Sequence, residues 1–193
     1  MHRLGMKAAL LAAVLWTSAC TTLAPDAGLA RGGASSKWSA ADEARRLNLS
    51  QAMRNSSISA VRNKDDQLQF NLPSDFAFDS DSAEIKPGML EDLDQLAVGL
   101  NSPAARSLRL LVVGYTDNQG PAAVNDPLSL ARAHRVARHI QSRGVDAGRI
   151  TVEGRGEREP MVSNAHNYGR ALNRRVEIVL SDPAATPSVA APR

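Results

Sequence analysis

Residues 107–115, SLRLLVVGY, constrain this chain more than any other stretch. Apolar residues occupy both odd and even positions here, so a strand over this segment has to be buried on both faces. Such a strand needs helices packed on its sheet, and the flanking segments supply them. After Pro87, a good residue to open a helix, Met89, Leu90, Leu93, Leu96, Ala97 and Leu100 recur at helical spacing. A second helix is expected with Asp126 as N-cap and Pro127 at its first helical position, running to Arg143 and stopping at Gly144. At 100° per residue, Leu130, Ala133, Val136, Ala137 and Ile140 form its sheet-facing arc, while Arg132 lies about 40° beyond the apolar edge at Val136.

The remaining strands are short. QLQFNL (67–72) alternates, RITVEG (149–154) follows the second helix, and RVEIVL (175–180) puts Val176, Ile178 and Leu180 on one face. FAFDSDSAEIKPG (76–88) reads as a loop, and NYGRALN (167–173) as a helical turn. The order β-α-β-α-β-(α)-β with short links predicts an α+β domain over 67–182, with one mixed four-stranded sheet and helices packed on it. Aromatic residues are only 4% of the chain, so its core is expected to be aliphatic.

The first 19 residues read as a signal peptide: basic residues in MHRLGMK, a nine-residue apolar run AALLAAVLW, then small residues. Nine apolar residues are too few to span a bilayer, which takes about 20. The single cysteine, Cys20, directly follows Thr-Ser-Ala and cannot form an intramolecular disulfide. The segment resembles a bacterial lipoprotein lipobox, which implies lipidation of Cys20, although Thr17 stands where that motif usually has Leu. Thr21 after the cysteine implies, by the same resemblance, delivery to the outer membrane with the domain facing the periplasm. Residues 20–66 are expected to be a linker with one short helix over 39–54, carrying a weak apolar face of Ala41, Ala44, Leu47 and Met53. Residues 183–193, rich in Ala and Pro, read as a disordered tail.

Without Arg3 and Lys7 of the leader, 21 basic residues face 20 acidic ones, so the charge gives no support to a nucleic-acid partner. Asp117 sits in GYTDNQG, the turn ending the buried strand, and Arg132 lies in the first two turns of the helix as read from the sequence. Both can face one crevice at the strand ends, where open α/β sheets bind ligands. Each has an ordinary reading, a turn residue and a solvated or paired arginine. Together they could grip a zwitterion, the carboxylate taking its ammonium and the guanidinium forking onto its carboxylate.

GYTDNQG, Asn125, LSLARAHRV (128–136), GVDAGRITVEGRGEREP (144–160) and the NRRVEI run ending at Ile178 resemble, in that order, the OmpA-like C-terminal domain. That family binds peptidoglycan noncovalently. The resemblance covers roughly residues 67–181. It implies that Asp117 and Arg132 clamp the diaminopimelate of the stem peptide, with Thr116, Asn125 and Arg174 supporting the pocket and Phe78 and Asp79 near it. Tyr115 stands where histidine is common, and is expected to alter the pocket wall. The chain is then a wall-tethering lipoprotein of the outer membrane, similar to the peptidoglycan-associated lipoproteins, some of which also bind Tol-system components.

Enzymatic readings find little in the residues. His134, His139 and His166 form no H-E-x-x-H or other paired metal-ligand spacing, and no G-x-S-x-G occurs. Gly154-Arg155-Gly156 lacks the third glycine of a dinucleotide loop, so neither a metal nor a cofactor is expected. A cell-wall hydrolase using Asp79 and Asp117 as paired carboxylates is the remaining catalytic alternative. A Tol-system interaction module is the structural one.

Overall fold

The computed structural model describes residues 40–183. Its elements are α1 (Ala40–Ala52), β1 (Ser59–Arg62), β2 (Leu68–Pro73), α2 (Ser74–Ala77), α3 (Pro87–Leu100), β3 (Arg109–Tyr115), α4 (Ala122–Ser142), β4 (Ile150–Gly154), α5 (Asn167–Asn173) and β5 (Arg175–Ser181). A 3₁₀ turn over Ala147–Arg149 precedes β4. The strands form one mixed sheet in the order β1-β2-β5-β3-β4, with β3 and β4 parallel and the other pairs antiparallel.

Strand alternation sorts the residues cleanly. Leu68, Phe70 and Leu72 of β2, Val176, Ile178 and Leu180 of β5, and Leu110 and Val112 of β3 enter one core with the buried faces of α3 and α4. Residues 107–115 do end in a strand with both faces withdrawn from water, since Val113 and Tyr115, on the side opposite Val112, are also buried. The core is mostly aliphatic, with Phe70 and Phe78 as its two phenylalanines.

The sheet has five strands, not four. The extra one, β1, comes from the stretch read as linker, where its exposed residues give no alternating pattern. α1 matches the short helix expected there, yet it belongs to the folded unit: Leu49, Met53 and Ile58 join the core, and a Cβ on Gly99 of α3 would collide with Leu49. Leu47, placed on the apolar face by the sequence, is exposed instead. The folded unit therefore reaches further toward the N-terminus than residue 67. The signal peptide, Cys20 and all of the C-terminal tail except Pro183 lie outside the described residues. No described helix is long and apolar enough to cross a membrane.

α4 also differs at its start. It begins at Ala122, capped by Pro121 after a turn at Gly120, whose φ of 87° suits glycine. Pro127 thus lies inside the helix, and Asp126 does not cap it but pairs with Arg158 at 2.9 Å. The early start puts Asn125 in the second turn, where its side chain can reach the preceding loop. Leu130 is more exposed than the apolar arc implied, whereas Ala133, Val136, Ala137 and Ile140 are buried as expected.

Candidate functional site

Sheet register decides which loops meet. Pro73 at the end of β2 pairs with Arg175 at the start of β5, and Tyr115 at the end of β3 pairs with the same Arg175. Three segments distant in sequence therefore emerge side by side: Ser74 and Asp75 from β2, Thr116 and Asp117 from β3, and Arg174 entering β5. α4 closes the fourth side because it lies very near the strand. A Cβ at Gly114 would sit 2.0 Å from the Ser129 carbonyl oxygen, so only glycine lets the helix approach this far. Arg132 is one turn further along α4.

These segments enclose a cavity of about 430 Å³. All seven residues singled out from the sequence line it: Phe78, Asp79, Thr116, Asp117, Asn125, Arg132 and Arg174. Asp117 is 6% exposed. Its Oδ1 accepts the Gln119 backbone N–H at 2.9 Å and its Oδ2 accepts from Arg174 Nη1 at 2.5 Å. Asn125 fixes the loop, its amide donating to the carbonyls of Asp117 and Gln119 at 3.3 and 3.2 Å and to Glu157 at 3.1 Å. The Thr116 hydroxyl is buried without a hydrogen-bond partner.

Arg132 stands on the helix side, 5% exposed. Nε donates to the Ser82 carbonyl at 2.8 Å, and the guanidinium lies 5.2 Å from the Phe78 ring centroid. Among the described residues no carboxylate pairs with it, and its two terminal nitrogens donate to no protein acceptor. Burial lowers its pKa from the ordinary value, and the nearby charges of Asp81 and Asp75 oppose that shift. A buried cation in this state is complementary to an incoming anion.

Arg174 behaves differently. Nε and Nη2 fork onto both oxygens of Asp75 at 2.8 and 2.6 Å, while Nη1 reaches Asp117. These hydrogen bonds, that of Asp75 foremost, push its pKa upward. Asp79 is on the rim, its side chain 73% exposed and 3.9 Å from Lys86. The two carboxylates of the hydrolytic alternative thus sit in unlike settings, one buried and clamped, the other exposed.

Sequence reasoning missed Ser74, Asp75, Lys86 and Gln119, which also line the cavity. Asp75 is joined to Arg174 across 99 positions, a proximity that only the β2–β5 pairing creates. Tyr115, expected in the pocket wall, lies on the opposite face of the sheet, because it is one residue before Thr116 and points the other way from Gly114. There it lies under the Arg175 guanidinium at 3.9 Å.

The profile of the OmpA family matches residues 77–174, half of the chain. The chain belongs to the OmpA family. Over 129 residues it is 40% identical to the probable lipoprotein YiaD of Escherichia coli, covering 67% of this chain and 58% of that protein. It is 43% identical over 105 residues to the peptidoglycan-binding protein ArfA of Mycobacterium tuberculosis, covering 54% of this chain and 32% of that one. The chain thus spans about a third to somewhat over half the length of these relatives. Among solved structures, the cell-wall anchor of the type VI secretion system from Pseudomonas aeruginosa superposes with a TM-score of 0.58 at 32% identity, covering 72% of this chain and 96% of that one. A MotB-like protein from Desulfovibrio vulgaris gives a TM-score of 0.66 at 27% identity, covering 74% and 94%. The parallel β3–α4–β4 unit and the antiparallel β5 thus belong to a fold shared with these two solved structures.

Proposed function

We propose that this chain tethers the envelope to the cell wall by binding, noncovalently, the diaminopimelate of peptidoglycan stem peptides. The observation that carries this reading is Arg132, a buried guanidinium whose terminal nitrogens meet no carboxylate or other acceptor among the described residues, on the wall of a cavity whose loop side presents Asp117. Diaminopimelate carries an ammonium and a carboxylate on one distal carbon. Asp117 still has acceptor capacity after its two protein hydrogen bonds, and takes the ammonium. The Arg132 terminal nitrogens take the carboxylate as a fork. Lysine, which replaces diaminopimelate in some walls, lacks that carboxylate and would leave Arg132 unpaired.

The relatives support the same direction, since ArfA is a peptidoglycan-binding protein and the Pseudomonas structure is a cell-wall anchor. YiaD, a probable lipoprotein, supports lipidation at Cys20, which would give the tether its other end in the outer membrane. The groups in the cavity serve recognition, and no bond-breaking step is needed for it. Co-sedimentation with purified diaminopimelate-type sacculi tests the reading. Wild type should pellet with the wall, and Asp117→Ala and Arg132→Ala should stay in the supernatant. Equal pelleting of all three would refute it.

A further inference from the structure

We infer that Asp75, which no feature of the sequence singled out, is the positioning residue that keeps Asp117 open to a ligand's ammonium group. This inference rests on the reading of the cavity given above. Arg174 has five N–H donors, and the directions they can take are fixed by its planar fork. Asp75 engages the Nε/Nη2 edge through both of its oxygens, at 2.8 and 2.6 Å. Only Nη1 is then left for Asp117, and it meets a single oxygen, Oδ2, at 2.5 Å. Asp117 keeps unfilled lone pairs on both oxygens, since Oδ1 takes one further bond from the Gln119 N–H.

Without Asp75 the arginine has a better alternative. Its free edge can turn and fork onto both Asp117 oxygens, the arrangement carboxylates favour with guanidinium. That would fill the acceptor the ammonium needs. The charge count points the same way. Asp75, Arg174 and Asp117 together carry one net negative charge, whereas Arg174 and Asp117 alone are neutral. A neutral pair attracts an ammonium far less than an anionic triad. The Arg174 hydrogen bond also holds the Asp75 carboxyl below its usual range, so Asp75 keeps its charge in mildly acidic surroundings. Asp75 is in turn held in place. It sits on α2, whose first N–H donates to the Arg174 carbonyl at 2.9 Å, and Lys86 Nζ donates to the Asp75 carbonyl at 3.0 Å.

The test uses calorimetric titration of the full chain and Asp75→Asn with two synthetic tripeptide stems. One ends in diaminopimelate; in the other the distal amine is replaced by hydrogen, leaving the distal carboxylate. Asp75→Asn should bind the first roughly five- to tenfold more weakly than wild type, the half-exposed setting of Asp75 limiting the effect. Both proteins should bind the amine-free stem with the same, lower affinity. A residue that only supports the fold would weaken both ligands alike, and that result overturns the inference. So does unchanged affinity of Asp75→Asn for the diaminopimelate stem. If wild type binds neither stem, the tether reading fails and takes the role of Asp75 with it; if wild type binds well and Asp75→Asn binds equally, only the role of Asp75 fails.

Discussion

Among the described residues, two guanidiniums lie against aromatic rings, one on each side of the sheet. Arg175 is 3.9 Å from the Tyr115 centroid, donates to Glu177 at 2.7 Å and to the Asn173 carbonyl at 3.1 Å, and is buried. Beside it Arg155 holds Glu153 at 2.8 Å and Glu159 at 2.7 Å. Every charge in that cluster has an opposite charge, which is the condition under which buried ions do not penalise folding heavily. Arg132 is as deeply buried, yet it has a carbonyl and a more distant ring. Among the described residues no carboxylate touches it, the charges of Asp81 and Asp75 acting only from further off. One region is saturated and the other is left incomplete. The incomplete one is where binding energy is available to a ligand, at some expense to the stability of the free protein.

The widest separation between the two regions should come from Arg132. Arg132→Ala should weaken diaminopimelate-stem binding by about 2–5 kcal/mol, the range for removing one partner of a desolvated charge pair. Arg132→Met, which keeps much of the packing, should lose binding to a similar extent while the denaturant midpoint holds or rises. A large fall in midpoint would instead place Arg132 with the structural cluster.

On the opposite face the pattern should invert. Glu177→Gln strips Arg175 of its carboxylate and should destabilise the fold by about 3 kcal/mol, the low end for breaking a buried pair because the Asn173 carbonyl and the Tyr115 ring remain. Stem-peptide affinity of the folded protein should stay unchanged in titrations below the unfolding transition. Gly114→Ala joins the two regions. Its methyl group would press on the Ser129 carbonyl, so α4 must shift away from β3. We expect a loss of about 1–3 kcal/mol of stability, the usual range for overpacking, together with weaker binding as Arg132 moves with the helix.

The smallest expected effect concerns acid. The Asp75 carboxyl is held below its ordinary value by Arg174, so its folded pKa is depressed relative to the unfolded chain. Its contribution is therefore present above the unfolded value of 3.8 and is lost as pH falls through the lower folded value. Asp75→Asn should be slightly less stable than wild type at neutral pH, with the gap closing below about pH 4. A gap that persisted at low pH would mean the Asp75–Arg174 bonds do not depend on the charge of Asp75.

Much of this was legible in the sequence because period and punctuation carried it. Pro87 opens α3, Gly144 follows α4, and Val176, Ile178 and Leu180 face the core as their spacing implies. Asp117 and Arg132 could be paired from a strand end and the helix that follows it, although Arg132 lies in the third turn of α4 and not in its first two, because α4 starts at Ala122. Other features depend on tertiary pairing that no local pattern records. β1 is a short edge strand whose residues are largely exposed, so it shows no alternation. α1 is anchored by Leu49 and Met53 rather than by Leu47, and only contact with α3 selects that face. α4 starts at Ala122 although Asp126-Pro127 has the look of a helix opening, because the fold uses Pro121 for that purpose. Asp75 became visible only when antiparallel pairing brought β2 beside β5.

The most direct measurement compares two muropeptides that differ at one carbon, one bearing diaminopimelate and one bearing lysine. Titrated into wild type, the diaminopimelate form should bind at least about thirtyfold more tightly, equivalent to about 2 kcal/mol, and Arg132→Ala should erase that preference. Equal affinity for both ligands in the wild type would contradict the assignment of Arg132 to the distal carboxylate.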